Sequence, residues 1–349
     1  MPDQGAGAAV PVMRVSGPGS GPSGVPAAIG LSPILSARYR HQDLVRIEDA
    51  APGSRLVSMS LEGLADGDLS DVEVLLRGPM PQGVFDRLLS RCPKLMWVHS
   101  ATAGVERVLT PAALERGLAI TNARGVFSDP IAEYVLMMIL SVSRRLPQLL
   151  ELQRERTWQP LEGREMSDLT IGIVGLGSIG RRVAELAAAF GCRVVAVRRN
   201  VEDPATPAGL TEVMSADRLP ELLAQSDFIV LALPLTDGTV DLFDDQMLTQ
   251  AKPGAWLINV ARGALIDERA LLRAVREGPL GGAVLDAFRD EPLPPDSPLY
   301  REPNLIVTPH TSWSSGRVLD RSIGLFADNL GRFARGERLL NLVDPGAGY

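Results

Sequence analysis

One segment constrains the fold more than any other: DLTIGIVGLGSIGRRVAELAAAFGCRVVAVRRN, residues 168–200. It reads as an apolar strand, a turn holding Gly175, Gly177 and Gly180 in GxGxxG spacing, an amphipathic helix and a second apolar strand. Glycine-rich turns are common. A turn flanked in register by strand, helix and strand is the βαβ arrangement that takes a dinucleotide. Gly175 permits the tight turn, Gly177 lets the backbone approach a pyrophosphate, and Gly180 allows close contact between helix and strand. Ser178 and Ile179 open the helix, where N–H groups without helical partners and the helix dipole favour an anion. The helix is expected to bury Ile179, Val183, Leu186 and Phe190 on one face and to stop at Gly191.

The rest of the chain extends this pattern. From Leu169 to about Pro309 the apolar runs IGIVG, RVVAV, DFIVLAL, AWLINV, GGAVLDAF and LIVTP alternate with helical segments. Strands buried on both faces read this way, as in a doubly wound parallel sheet. A second, smaller α/β series precedes it, with strands expected at LVRIE (44–48), RLVSMS (55–60), VEVLLRG (72–78), LMWVHS (95–100) and LAITN (118–122). PQGVFDRLL (81–89) is expected as a helix between two of these strands. A long helix follows, with Asp129 as its N-cap and Pro130 as its first residue, and it suits a bridge between two domains. The segment VLDRSIGLFADNLGRFARG is expected to return as a helix onto the first domain. The fold class is therefore α/β, with two Rossmann-like domains. A doubly wound dinucleotide-binding domain, 123–311, is inserted into a smaller flavodoxin-like substrate domain, 31–122 and 312–349. Residues 1–30 hold 12 Gly or Pro and only two charges, too little apolar surface to offset ordering entropy, so they are expected to be disordered.

At 349 residues two domains are the first expectation, and a net charge of −7 speaks against a nucleic-acid or anionic-membrane surface. The longest apolar candidate, Ile131–Val142, is too short to cross a bilayer and carries Glu133. No basic leader precedes an apolar core, so the protein is expected in the cytoplasm. Cys92 and Cys192, far apart in apolar contexts, read as reduced buried thiols. No metal is expected.

The end of the second strand bears on the cofactor. NAD-selective sites place a carboxylate there for the ribose 2′-hydroxyl. This chain has Arg198, Arg199 and Asn200, with no carboxylate before Glu202. Guanidinium groups suit a 2′-phosphate, so NADP is favoured, with NAD as the alternative.

Three later strand ends carry the groups that carbonyl reduction needs. Arg262 follows AWLINV, Asp286 ends GGAVLD with Glu291 in the proline-rich loop beyond, and His310 follows LIVTP. Ligands of such sheets bind outside these ends. A planar guanidinium can clamp a carboxylate and a ketone oxygen, and an imidazole can donate a proton near neutral pH. Glu291 as its partner would hold the imidazolium. Taken singly, each residue has a plainer reading as a surface arginine, a loop carboxylate or a turn cap. Their shared placement after successive strands favours one cleft. His99, at a strand end in the first domain, is the competing histidine. Arg77, after VEVLL, is a candidate second anion contact, with an exposed arginine as the plainer reading.

Over Asp71–Gly336 the chain resembles the D-isomer-specific 2-hydroxyacid dehydrogenase family. The motifs that carry the resemblance are WVHSATAGVE, TNARGVFSDPIAEYVL, GLGSIG, LALPLTDGTVDLF, KPGAWLINVARGALIDE, LDAFRDEPLPPDSPLY and TPHTSW. EPLPPDSPLY and TPH are most similar to the glyoxylate/hydroxypyruvate reductase branch, whose members often use NADPH. The resemblance implies that Arg262 binds the substrate carboxylate and keto group, and that Glu291 pairs with His310 as the acid/base. It further implies that Asp286 contacts the nicotinamide amide and Pro234 lies along the cofactor. The backbone of Ala103 and Gly104 is implied to hold the substrate carboxylate, and a homodimer to form largely through the cofactor domain. Arg198 departs from the family, where many members carry Asp. Relatives that act on phosphoglycerate, formate or phosphite, and dinucleotide-sensing corepressors, define the alternatives to a reductase of glyoxylate or hydroxypyruvate.

Overall fold

The computed structural model describes residues 24–34, 39–201, 207 and 209–346. The chain divides into two units. The first gathers the described residues up to Ala101 with Arg107–Asn122 and Ile323–Val343. The second gathers Thr102–Glu106, Ala123–Ser322 and the described residues from Asp344 onward.

The first unit runs β1 (Ala28–Leu31), α1 (His41–Ala50), β2 (Arg55–Ser58), β3 (Val72–Arg77), α2 (Gln82–Arg91), β4 (Trp97–Ser100), α3 (Pro111–Glu115) and β5 (Ala119–Asn122). Among the described residues its strands pair in parallel in the order β2-β1-β3-β4-β5, the flavodoxin-like winding. The last segment of this unit supplies Phe326 and Phe333, whose rings stack 5.5 Å from that of Trp97. These large aromatic surfaces close one side of its core.

Two expectations fail here. LVRIE is helical, not a strand, because it lies inside α1. The Arg40 backbone N–H and side chain both donate to the Asp43 carboxylate, which starts the helix, and Asp43 and Ile47 turn inward one turn apart. The disorder expected of residues 1–30 also fails where that stretch is described. Ala28–Leu31 is a buried strand between β2 and β3, while residues 1–23 lie outside the described residues. Its four residues AIGL are too few to stand out in a window rich in Gly and Pro. Gly30 is nonetheless close-packed, since a Cβ there would approach Met59 Cε to 2.8 Å.

The second unit runs α4 (Ser128–Ser143), α5 (Leu146–Arg154), β6 (Thr170–Val174), α6 (Ser178–Ala189), β7 (Arg193–Val197), β8 (Glu212–Met214), α7 (Leu219–Gln225), β9 (Phe228–Leu231), α8 (Asp245–Leu248), β10 (Ala255–Asn259), α9 (Glu268–Arg276), β11 (Leu280–Leu285) and β12 (Leu305–Val307), before α10 (Val318–Ala334), which begins here and ends in the first unit. Seven parallel strands are ordered β12-β11-β10-β9-β6-β7-β8 among the described residues. The order reverses between β6 and β9, where sheets of this kind open a crevice at their carboxyl ends. Ile171, Ile173, Val194, Val195, Val230 and Ile258 are fully buried, as a sheet covered on both faces requires.

Helix α4 begins two residues early. Phe127 is its N-cap and Ser128 its first residue, so Asp129 sits within the first turn rather than capping it. Proline is tolerated there because first-turn N–H groups have no helical partner. Asp129 instead receives Arg182 Nε and Arg321 Nη2, each at 2.8 Å. Helix α6 turns a different face inward from the one expected. Gly180, Val183, Ala184 and Ala187 are buried, while Phe190 is half exposed. Small residues let the helix lie close to the sheet. The larger Leu186 and Phe190 line a groove with Leu136, Met137, Leu140 and Leu149. Among the described residues no helix is long and apolar enough to cross a membrane.

Candidate active site

The crevice is built from the glycine turn upward. Gly175 has φ +100°, a conformation L side chains rarely adopt, and its N–H donates to Val197 O at the end of the neighbouring strand. A Cβ on Gly180 would collide with the Gly175 carbonyl, which is the close helix–strand approach the motif implies. Gly177 caps α6 in an extended conformation, and a Cβ there would meet nothing within 4 Å. The helix N-terminus, with Ser178 and Ile179, therefore faces open space in which an anion can approach the backbone. These residues fit a dinucleotide. Pro234 lies exposed in the loop after β9, where its carbonyl accepts from Thr239 Oγ1 at 3.0 Å.

Arg198 and Arg199 follow β7 and differ in setting. Arg198 is buried, with Nη2 donating to Val201 O at 3.1 Å, whereas Arg199 is exposed.

Neighbouring strands β10, β11 and β12 deliver the other side chains to the same sheet edge. After β10, the buried Asn259 shapes the turn: its Oδ1 accepts from Ala261 N and its Nδ2 donates to Arg262 O. The Arg262 guanidinium donates through Nη1 to Ala261 O at 2.9 Å and through Nε to Glu106 Oε1 at 3.2 Å. It lies against Gly104, where a Cβ would collide with Nη2. The loop of Ala103 and Gly104 thus meets Arg262 within the second unit, and Thr102 Oγ1 stiffens it by donating to Gly104 O.

After β12, His310 adopts φ +48° and its Nδ1 lies 2.9 and 3.0 Å from the two Glu291 carboxylate oxygens. Glu291 Oε1 also accepts from Phe288 N, which fixes the carboxylate. With Nδ1–H directed at the carboxylate, Nε2 is the nitrogen left to exchange a proton with a substrate oxygen. Trp313 Nε1 donates to His310 O at 2.7 Å.

Asp286, at the end of β11, is almost fully buried. Its Oδ1 accepts from Thr311 N and Thr308 Oγ1, and its Oδ2 from Ser312 N. It therefore staples the backbone just beyond His310. Tyr134 OH, 2.6 Å from Thr308 Oγ1, continues this chain from α4. Burial, helped by the nearby Asp286 charge, pushes the Tyr134 phenol up to about 12, so it stays protonated.

The structure brings together Arg262 with the Gly104 loop, His310 with Glu291, and Asp286 with the His310 loop. Arg77 has partners of its own within the first unit. That side chain lies inside the first unit, not exposed, and its fork donates to the carbonyls of Gly78, Met80 and Arg107. Burial, reinforced by Arg107, pushes its pKa down to about 10. Both of its terminal nitrogens donate to backbone carbonyls rather than to an anion. His99 is likewise interior, with Nδ1 2.8 Å from Thr121 Oγ1. Glu106, Tyr134, Thr308 and Asn259 were not singled out in the sequence. Only Asn259 carried a local signal there, a polar residue ending an apolar strand. Among the described residues no group of three or more His, Cys, Asp or Glu could hold a metal ion.

Residues 136–312 match the family model described as "D-isomer specific 2-hydroxyacid dehydrogenase, NAD binding domain". A glyoxylate reductase of Korarchaeum cryptofilum is 34% identical over 319 residues, covering 89% of this chain and 92% of that protein. A D-3-phosphoglycerate dehydrogenase of Mycobacterium bovis is 39% identical over 264 residues, covering 75% of this chain and 49% of that protein. A D-isomer specific 2-hydroxyacid dehydrogenase from Xanthobacter autotrophicus Py2, solved in complex with NADPH and MES, superposes with a TM-score of 0.81 at 31% identity, covering 93% of this chain and 99% of that one.

Proposed function

The chain belongs to the D-isomer specific 2-hydroxyacid dehydrogenase family, oxidoreductases acting on a CH–OH group, and we propose that it reduces glyoxylate or hydroxypyruvate with NADPH. The observation that carries this reading is a guanidinium fork and an imidazole–carboxylate pair at neighbouring strand ends. Reduction of a 2-oxo acid needs a cation for the carboxylate and a proton for the ketone oxygen. Arg262 supplies the first with its planar fork, backed by the loop of Ala103 and Gly104. His310, oriented by Glu291 through Nδ1, gives its proton from Nε2.

Gly175, Gly177, Ser178, Ile179 and Gly180 would hold the pyrophosphate, with Pro234 along the cofactor, and bound NADPH supplies the hydride. Asp286 has acceptor capacity beyond its three donors, enough for one amide N–H of the nicotinamide. Arg198 and Arg199 stand where a 2′-hydroxyl ligand would be acidic, and the NADPH complex of the Xanthobacter relative supports the same preference. The match to a D-3-phosphoglycerate dehydrogenase favours one rival, a phosphorylated substrate, although this chain spans about half the length of that relative. A homodimer through the cofactor domain is supported by the half-exposed Met137, Leu146, Leu149 and Phe190 along α4, α5 and α6. Work in the cytoplasm accords with two buried free thiols, Cys92 and Cys192.

The test is optical measurement of NADPH consumption over a panel of 2-oxo acids. The expected kcat/KM ratio of NADPH to NADH is at least about tenfold, about 1.4 kcal/mol. Arg198→Asp should shrink or reverse it, because a carboxylate repels the 2′-phosphate and accepts from a 2′-hydroxyl. Equal efficiency with both cofactors would remove the NADP assignment, and no turnover of any 2-oxo acid would remove the reductase.

A further inference from the structure

Arg262 does not stand alone. Its Nε is engaged by Glu106, and its guanidinium lies on the backbone of Gly104, with no room for a side chain between. Both ionic side chains are partly exposed, at 37% and 42%, so each still reaches solvent at the site mouth. A fork held at Nε and at Nη1 has a fixed plane, and any carboxylate it clamps must approach from its remaining edge. The first anionic group of a ligand is thereby matched by Arg262. Glu106 already balances part of that cation and adds a negative charge beside it. A second anionic group on the same small molecule would find a like charge and no second cation in this pair.

We propose that Glu106 is a positioning and charge-selecting residue: it sets the plane of Arg262 and disfavours 2-oxo acids carrying a second anionic group. The substrate class is then a monoanionic 2-oxo acid with a hydrogen or a neutral, hydrogen-bond-donating substituent next to the ketone. A hydroxyl there can donate to the Glu106 carboxylate, whereas a phosphate or carboxylate is repelled. This rests on the reductase reading above and, within it, argues against the phosphorylated rival.

The experiment compares kcat/KM with NADPH for hydroxypyruvate and for the dianion oxaloacetate, in the unmodified enzyme, Glu106→Gln and Glu106→Asp. Like charges within about 6 Å in a partly solvated cleft should change the ratio by about tenfold. Glu106→Gln is expected to shift it that far toward the dianion, and Glu106→Asp to keep the original preference. In the unmodified enzyme the preference should weaken in about 1 M salt, where screening is strong. A ratio that Glu106→Gln leaves within about twofold would overturn the proposal.

A second readout does not depend on turnover. Calorimetry of the NADPH-loaded proteins with oxamate, a monoanion, and N-oxalylglycine, a dianion, should give the same shift in relative affinity on Glu106→Gln. If no 2-oxo acid is reduced but this shift appears, the reductase reading fails and the charge selection stands. If turnover is normal and neither ratio moves, the charge selection fails alone.

Discussion

At the scale of single residues, the planar fork of Arg262 does what an ammonium cannot. Arg262→Lys keeps the positive charge but cannot bond Ala261 O and Glu106 together while clamping a carboxylate. We expect kcat/KM for the 2-oxo acid to fall about a hundredfold while NADPH affinity, measured by fluorescence titration, is unchanged. Near-normal turnover in this variant would reduce Arg262 to a structural role. The shared placement of Arg262, Glu291 and His310 at one sheet edge was legible because each lies just past an apolar run, and parallel strands align such ends. Their supports were not. Tyr134 and Thr308 are 174 positions apart, and no local spacing encodes a bond over that distance. Arg77 misled for a related reason. A fork after a strand looks the same in sequence whether it meets an anion or, as here, three backbone carbonyls in an interior.

At the scale of elements, α4 is tied to the loop after β12 by the contact from Tyr134 to Thr308, which leads on to Asp286 and the backbone beyond His310. Tyr134→Phe removes a mostly buried hydroxyl and leaves Thr308 one partner short. The expected cost is about 1 kcal/mol of stability, read as a lower urea midpoint, with a several-fold drop in kcat from a looser His310 loop. A variant with unchanged midpoint and kcat would mean the contact positions nothing. Most strands were readable because burial on both faces leaves continuous apolar runs, as in IGIVG and DFIVLAL. The failures are short or disguised elements. AIGL has four residues beside prolines and glycines, and LVRIE offers strand-like residues inside a helix whose inward pair, Asp43 and Ile47, includes a charge. The inner face of α6 was misread because small residues, not large ones, make the closest approach to a sheet.

At the scale of the whole molecule, His99 links stability to pH. It is fully buried beside Trp97 and Phe326, and burial pushes its pKa down from 6.5 to about 3. The fold therefore holds it neutral, while an unfolded chain protonates it in mild acid. Its contribution is complete above about pH 6.5 and is lost as pH falls toward 3, with a slope of up to about 1.4 kcal/mol per pH unit. The paired Asp43, whose pKa is lowered by Arg40, adds losses in the same direction but only at more acidic pH. Denaturant midpoints between about pH 6.5 and 4.5 should fall in the unmodified protein and fall less in His99→Gln. Parallel curves for the two proteins would show that another group drives the acid loss.

The same unit is assembled from three stretches of chain, and its last stretch has a consequence for synthesis. Trp97 leaves the ribosome with its strand, but Phe326 and Phe333, which cover it, follow only after the continuous Ala123–Ser322 stretch of the other unit. At elongation rates of about 5–20 residues per second, those 200 intervening residues take roughly 10–40 s. Through that interval the nascent chain carries an indole without its aromatic cover, a surface for a chaperone to hold. The inserted unit has its whole sequence available first, and the unit that begins the chain is the last to close.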